Sequence, residues 1–205
     1  MTTSLPTLIG PCLLALAAAL PAQTLHVRGE LDEGRSTGCY YCPNVPYTVK
    51  FSETPVRSST VDLQFYKNLS AQLILHGTWD TSVNPAGLNV SSVEIVSESL
   101  GVSNTARTGT SLRFTVSGPA AAPAGVIIAQ GAGFLQLFQS ALLLDPASLL
   151  VLGAGALGAQ GSWRFELPIP ADPQLIGFRF WSQALIVPPN DVPYWSNPQR
   201  TLIDR

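Results

Sequence analysis

The chain has 205 residues and a formal net charge of −2, and 46% of its residues are hydrophobic whereas 12% are charged. This composition argues against intrinsic disorder, because such a chain can bury enough apolar surface to offset its conformational entropy. It also argues against nucleic-acid binding, which depends on a basic surplus that neutralises phosphates. Seventeen glycines and 17 prolines, with abundant Val, Leu, Thr and Ser, favour short strands and turns, and we predict an all-β protein.

The first 22 residues have the pattern of a secretion signal. An uncharged, mostly apolar run from Leu8 to Leu20 precedes small residues that suit a signal peptidase, and we predict cleavage between Ala22 and Gln23. No Lys or Arg precedes that run, so a buried N-terminal helix and a lipoprotein signal ending at Cys12 remain as alternatives. The export interpretation predicts a secreted, periplasmic or cell-surface protein without a transmembrane helix in the mature chain.

Residues 23–98 contain several short runs in which apolar and polar side chains alternate. Leu25, Val27 and Leu31 lie on one face of the first run, and similar runs cover 47–51, 73–79 and 90–96. Alternation with a period of two over such short segments is typical of half-buried antiparallel strands. We therefore predict that these residues form a first β domain.

The sequence Cys39-Tyr40-Tyr41-Cys42 is the most distinctive local motif of this segment. Haem attachment is excluded, because a proline stands where a histidine has to follow the second cysteine. The prolines after the motif also prevent the helix start that a thioredoxin-type dithiol needs. We predict a disulfide between Cys39 and Cys42, as expected in an oxidising compartment, and no metal or cofactor. Zinc bound by these cysteines with His26 and His76, the only histidines, remains the open alternative.

Residues 61–69 allow two interpretations. In a strand, Val61, Leu63 and Phe65 would point to one side and the polar residues between them to the other. In a helix, Val61, Phe65 and Leu69 would share a face, because they are four residues apart.

The longer stretch 62–79, D-L-Q-F-Y-K-N-L-S-A-Q-L-I-L-H-G-T-W, resembles the D-L-x-x-[YF]-x-G-Q-x-[VL]-x-[VL]-x-G-x-W pattern of small exported OB-like barrel modules of bacteria. Ala71 stands where that pattern has a glycine. The resemblance implies a five-stranded barrel over 23–98 that binds oligosaccharide or single-stranded nucleic acid. Residues 24–98 hold five basic and eight acidic side chains, which disfavours the nucleic acid.

Residues 101–205 form a second β-rich segment. Leu112–Val116 and Gly161–Leu167 alternate cleanly, and Gly177–Val187 continues as a further strand. The uncharged stretch Val126–Leu144 is long enough to span a membrane, but glutamines and glycines interrupt it and no basic residue lies close on either side. Two buried sandwich strands joined by a Gly-Ala-Gly turn fit this stretch better.

The segments 143–153 and 161–185 follow the pattern L-L-x-D-P-x-x-L-x-x-L-G … G-x-W-x-x-x-L-P-I-P-x-D-P-x-L-I-G-x-x-F-x-x-Q-A-L. This pattern is similar to that of a domain found at the C-terminus of exported bacterial proteins of unknown role. The resemblance implies an antiparallel β-sandwich over 101–205 and brings no catalytic residues or substrate with it.

Catalytic signatures are absent from the sequence. It contains no Gly-x-Ser-x-Gly, no His-Glu-x-x-His and no glycine-rich phosphate loop, and most of its aspartates lie in Asp-Pro turns or scattered positions. We therefore predict that the protein is not an enzyme.

Aromatic side chains are the remaining candidates for a binding site. Tyr40, Tyr41, Tyr194 and Trp195 lie in proline-rich loops, and we expect these four to face a ligand. Trp79 and Trp181 are further candidates, although most aromatic side chains fill a core.

The sequence as a whole predicts an exported, non-catalytic structural or interaction protein of the envelope or cell exterior. A carbohydrate-binding module that uses loop aromatics is the alternative function. The partner is then an envelope protein or a glycan, and not a nucleic acid.

Overall fold

The computed structural model describes residues 24–34, 45–103 and 106–205. The predicted all-β class is confirmed, since this part of the chain contains seventeen strands and one α-helix. Within it, no helix combines the length and the apolar character needed to cross a bilayer. The predicted signal at 1–22 and the predicted disulfide between Cys39 and Cys42 lie outside the described residues.

The first segment forms a barrel of five strands. Its elements are β1 (Leu25–Gly29), β2 (Leu31–Glu33), β3 (Tyr47–Val49), β4 (Thr54–Arg57), α1 (Leu63–Leu69), β5 (Gln72–Asp80) and β6 (Gly87–Val96). Hydrogen bonding runs in the order β1-β5-β6-β4-β3-β2. Only Glu30 separates β1 from β2, so the two act as one bent strand and the path returns to its beginning. This five-stranded closure is the OB-like barrel that the sequence predicted.

The bend between β1 and β2 depends on Gly29. A side chain there would place its Cβ 2.5 Å from Cγ1 of Val49, so β3 can approach only a glycine. Directly after the bend, the amide of Lys50 donates to the carbonyl of Glu30 at 2.8 Å and begins the pairing of β2 with β3. The alternating burial of β1 places Leu25 and Val27 in the barrel core.

The helical interpretation of residues 61–69 is confirmed and the strand interpretation is wrong. The carboxylate of Asp62 accepts a hydrogen bond from the amide of Phe65 at 3.2 Å and caps the first turn of α1. Ser70 ends the helix in the left-handed region, with φ of 48°. Only Leu63 is buried, so α1 packs on the barrel through a narrow face.

The second segment forms the predicted β-sandwich. Its strands are β7 (Leu100–Val102), β8 (Ala106–Arg107), β9 (Ser111–Ser117), β10 (Pro123–Ala129), β11 (Ala132–Leu137), β12 (Ser140–Leu144), β13 (Leu150–Ala156), β14 (Ser162–Pro168), β15 (Arg179–Ile186), β16 (Tyr194–Trp195) and β17 (Gln199–Asp204). One sheet has the order β13-β10-β15-β17-β8, with β16 beside β15, and the facing sheet has the order β14-β9-β7. Phe114 and Val116 of one sheet pack against Val126 and Ile186 of the other.

The hairpin β11–β12 leaves the sandwich and joins the barrel. β12 lies parallel to β1, and the amide of His26 donates to the carbonyl of Gln139 at 2.8 Å. Leu143 faces the barrel core, whereas Leu142 and Leu144 face a small core shared with the sandwich. The uncharged stretch 126–144 therefore holds strands of two different sheets. The division into two domains between residues 98 and 101 stays a prediction. Through this hairpin, main-chain hydrogen bonds connect residues on the two sides of that boundary.

Candidate ligand-binding cleft

A cleft of about 600 Å³ lies between the barrel and the sandwich. The barrel contributes β3, the β3–β4 turn, the start of β4, and Pro85 and Ala86 from the loop between β5 and β6. In the order of the barrel, these elements are the second and third strands and the loop between the fourth and fifth. OB barrels bind their ligands with this face and this loop. The β11–β12 hairpin contributes Phe134, and the sandwich contributes Trp181 and Arg200.

Two aromatic side chains stack across the boundary between the two units. The ring centres of Trp79, near the end of β5, and Phe134, in β11, are 3.6 Å apart, with 13° between the ring planes. Both rings also line the cleft. The hairpin that extends the barrel sheet thus completes one aromatic wall of the cleft.

The turn between β3 and β4 forms the opposite part of the cleft and holds an uncommon backbone conformation. Phe51 and Glu53 have φ of 68° and 59°, a region that bulky side chains rarely adopt. The buried hydroxyl of Ser52 donates to the carbonyl of Val49 at 3.0 Å. From the sandwich, the indole N–H of Trp181 donates to the carbonyl of Phe51 at 2.6 Å. Such conformations persist only where their surroundings hold them, and they are frequent at functional sites.

The cleft contains side chains of both charges. Lys50 and Arg200 each lie 5.5 Å from the centre of the Phe51 ring, measured from Nζ and Cζ respectively. Nζ of Lys50 also lies 2.9 Å from a carboxylate oxygen of Glu30. Three carboxylates line the cleft, those of Asp32, Glu33 and Glu53, and Glu33 pairs with Lys67. The site therefore offers both hydrogen-bond donors and acceptors, with a small acidic surplus.

Of the four aromatic residues predicted from loop position, Tyr194 and Trp195 lie away from the cleft. Trp195 is 6% exposed and packs into the small core beneath the hairpin, which corrects the expectation that its ring faces a ligand. Tyr194 is half-buried, and the guanidinium of Arg28 lies 4.2 Å from the centre of its ring. Burial raises the pKa of Tyr194 above its usual value, although Arg28 opposes the shift. Tyr40 and Tyr41 lie outside the described residues.

Sequence reasoning missed Phe51, Phe134, Lys50 and Arg200. Phe51 stands in Val49–Thr54, a turn without glycine or proline between two strands, which signals a strained hairpin. Phe134 follows a Gly-Ala-Gly sequence, where small neighbours leave a ring accessible. The two cations carry no sequence signal, since they meet only in the folded chain.

The two histidines come together on the outside of the barrel. Nδ1 of His26 lies 2.6 Å from Nδ1 of His76, and Nε2 of His76 lies 3.4 Å from a carboxylate oxygen of Glu94. In the part of the chain that the structure describes, no group of three or more His, Cys, Asp and Glu is arranged to hold a metal ion.

No protein-family model and no curated protein matches the sequence. Among solved structures, the chain is similar to an AA10 lytic polysaccharide monooxygenase from Streptomyces lividans, with 12% identity and a TM-score of 0.28. The similarity covers 49% of this chain and 59% of that protein, so the chain spans little more than half of its length. A likeness at this level assigns no activity to the chain.

Proposed function

We propose that the protein is a non-catalytic binding protein of the cell exterior, and that its cleft binds an oligosaccharide. The observation that carries this proposal is the place of the cleft, on the face with which OB barrels bind oligonucleotides and oligosaccharides. Its volume falls within the range of ligand sites, and aromatic rings with a few polar groups are the usual lining of such sites.

The charges of the cleft favour the oligosaccharide over the oligonucleotide. Barrels that bind single strands need a positively charged groove for the phosphates. Here the carboxylates of Asp32, Glu33 and Glu53 outnumber the cations of Lys50 and Arg200. Sugar hydroxyls both donate and accept hydrogen bonds, so they suit a site with carboxylates and cations together.

The exterior location and the lack of catalysis rest on the sequence. Residues 1–22 support export, and no catalytic signature stands in the chain. The proposal thus combines the two functions that the sequence predicts, an interaction protein and a carbohydrate-binding module. The ligand site is now the cleft and no longer the loop aromatics.

The test is a glycan array with the mature protein, followed by calorimetric titration of the best ligand. Arg200→Ala removes an exposed cleft cation, and Arg164→Ala removes an exposed cation from β14 as the matched control. We expect R200A to weaken binding about tenfold, the value of about one charge-assisted hydrogen bond, and R164A to leave it unchanged. Trp181→Phe should also weaken binding, because it releases the carbonyl of Phe51.

Two results would contradict the proposal. One is the absence of binding across the array together with binding of a single-stranded oligonucleotide. The other is a glycan whose affinity is lowered equally by R200A and R164A, since that ligand would not occupy the cleft.

A further inference from the structure

His26 and His76 are directly opposite each other on β1 and β5. Their neighbours Leu25, Val27 and Leu75 point into the barrel core, so both imidazoles lie on its outer face, where each is half-buried. The chain contains only these two histidines. Every histidine titration of the protein therefore arises from this pair.

The two imidazole rings meet nitrogen to nitrogen. Their Nδ1 atoms are 2.6 Å apart, the ring centres are 4.7 Å apart and the planes differ by 81°. The distance between the ring centres is close to the greatest that this nitrogen contact allows, so the two nitrogens point almost straight at each other. This contact is a hydrogen bond only if one nitrogen carries a proton and the other a lone pair.

Glu94 on β6 indicates which histidine accepts. Its carboxylate lies 3.4 Å from Nε2 of His76, a buried nitrogen with no hydrogen-bond partner. A proton on Nε2 is the one that the carboxylate attracts, and it leaves Nδ1 of His76 as the acceptor. We assign the shared proton in the neutral pair to Nδ1 of His26.

The geometry fits a shared proton and not a shared metal ion. Nitrogens bound to zinc lie about 2.0–2.1 Å from the metal, so two ligands cannot stand head-on at their present separation. Their lone pairs would have to converge on a common centre to the side. The described residues also provide no third ligand.

The surroundings make a second positive charge costly. Burial and the neighbouring His76 lower the pKa of His26, Glu94 raises it, and Arg28, two residues along β1, lowers it further. From β12 and the residue before it, the neutral Ser140 and Gln139 contact the backbone of His26. From β16, Tyr194 lies on Arg28, and Asp191, in the segment before β16, acts on Tyr194.

The backbone of His26 is also the place where the sandwich joins the barrel. Its amide donates to the carbonyl of Gln139 at 2.8 Å, and the hydroxyl of Ser140 donates to its carbonyl at 3.2 Å. The same hydroxyl accepts from the amide of Trp195 at 3.1 Å. A movement of His26 is therefore transmitted directly to β12 and β16.

We propose that the His26–His76 pair makes the junction between the barrel and the β11–β12 hairpin sensitive to acid. The pair keeps its contact while it holds one proton between the rings. When both imidazoles are protonated, two N–H groups with like charges face each other, and the contact breaks. The rings then separate, and β1 loses its fixed position against β12.

The direction of the pH dependence follows from the lowered pKa of His26. The pKa of this histidine in the folded state lies below the ordinary value of 6.5, so the unfolded chain binds more protons as the pH falls through that value. The contribution of the pair to stability is therefore fully present at pH 7.5, and it is lost between about pH 6.5 and the lower pKa of the folded state.

The first experiment measures the Tm of the mature protein at pH 7.5 and pH 5.5. We expect a fall of about 2–4 °C that belongs to the pair, over and above any change shared with the variants. H26Q, H76Q and the double variant should each lack this component, whatever their Tm at pH 7.5. A wild-type fall equal to that of the double variant overturns the proposal.

The second experiment locates the effect. Hydrogen exchange should show that the amides of His26 and Trp195 lose more protection at pH 5.5, after correction for intrinsic rates, than the amide of Phe114 in the sandwich core, which opens only with the whole molecule. H76Q should abolish that difference. Equal losses at all three amides, or a pKa of His26 that NMR places at or above 6.5, overturn the proposal.

Discussion

At the scale of the residue, Gln183 connects the sandwich to the hairpin. Its side chain is fully buried, and its carbonyl oxygen accepts from the amide of Leu143 at 2.7 Å. Its amide group donates to the carbonyls of Ser196 at 2.8 Å and Ala141 at 3.3 Å. The side chain thus joins main-chain groups of β12 to the residue that follows β16.

We predict that Gln183→Met destabilises the protein by about 3 kcal/mol. Methionine fills a similar volume but leaves buried main-chain groups unpaired, and each costs about 1–3 kcal/mol. The measurement is the free energy of unfolding in urea. Gln136→Met, at an exposed position of β11, is the matched control and should change it by less than about 0.5 kcal/mol. A Q183M protein as stable as Q136M would show that the three hydrogen bonds contribute nothing net.

Single polar residues with distant partners are what the sequence predicts least well. Asn197 stands directly before a proline, and this residue pair is typical of a turn. In the structure its side-chain oxygen accepts from the amides of Ser99 and Leu100, both at 3.0 Å. Those partners are almost a hundred residues away, so no local pattern announces them. The expectation for Trp195 was wrong for the same reason, because distant residues of β10, β12 and β15 bury its ring.

At the scale of the element, most strands follow from alternation and a few elements do not. The apolar residues of 61–69 fit the period of a strand as well as that of a helix, and the hydrogen bond that caps the chain at Asp62 favours the helix. β12 is buried at all five positions because the barrel core and the shared core cover its two faces. A strand of that kind is a continuous apolar run, and its sequence cannot state which sheet it joins.

The end of α1 gives a prediction about backbone strain. Ser70 adopts φ of 48°, and its exposed side chain makes no hydrogen bond with the residues that the structure describes. Ser70→Gly should therefore raise the free energy of unfolding by about 1 kcal/mol, since only glycine occupies the left-handed region without cost. Ser70→Ala, which keeps a Cβ, should bring no gain. Equal effects of the two substitutions in urea unfolding would mean that the helix end carries no such strain.

At the scale of the whole molecule, the sequence predicted the barrel and the sandwich but not their connection. Each unit has its own alternation and its own resemblance, whereas the connection depends on how one uncharged hairpin is shared. The cleft is likewise built from residues of both segments. Trp79 and Phe51 come from the barrel, and Phe134, Trp181 and Arg200 come from the second segment, so the site exists only in the folded chain.

This shared construction predicts that barrel and sandwich unfold as one cooperative unit. Leu143 and Ala141 belong to the barrel core although they come from the second segment, and Leu142, Leu144 and Trp195 seal the contact. A chain of residues 24–98 alone therefore lacks part of its core and should show no cooperative unfolding transition.

In the full chain, calorimetric and van't Hoff enthalpies should agree, as they do for a two-state transition.

Native-state hydrogen exchange should give the same limiting free energy of opening for Leu75 in β5 and Phe114 in β9, both fully buried. Leu142→Ala, in the shared core, should lower both values together by about 2–5 kcal/mol, because it leaves a cavity that neither unit can fill alone. Exposed Leu150→Ala is the matched control and should change neither by more than about 0.5 kcal/mol. Two resolved transitions, or a barrel value that stays unchanged in L142A, would mean that the hairpin rests on the barrel without contributing to its stability.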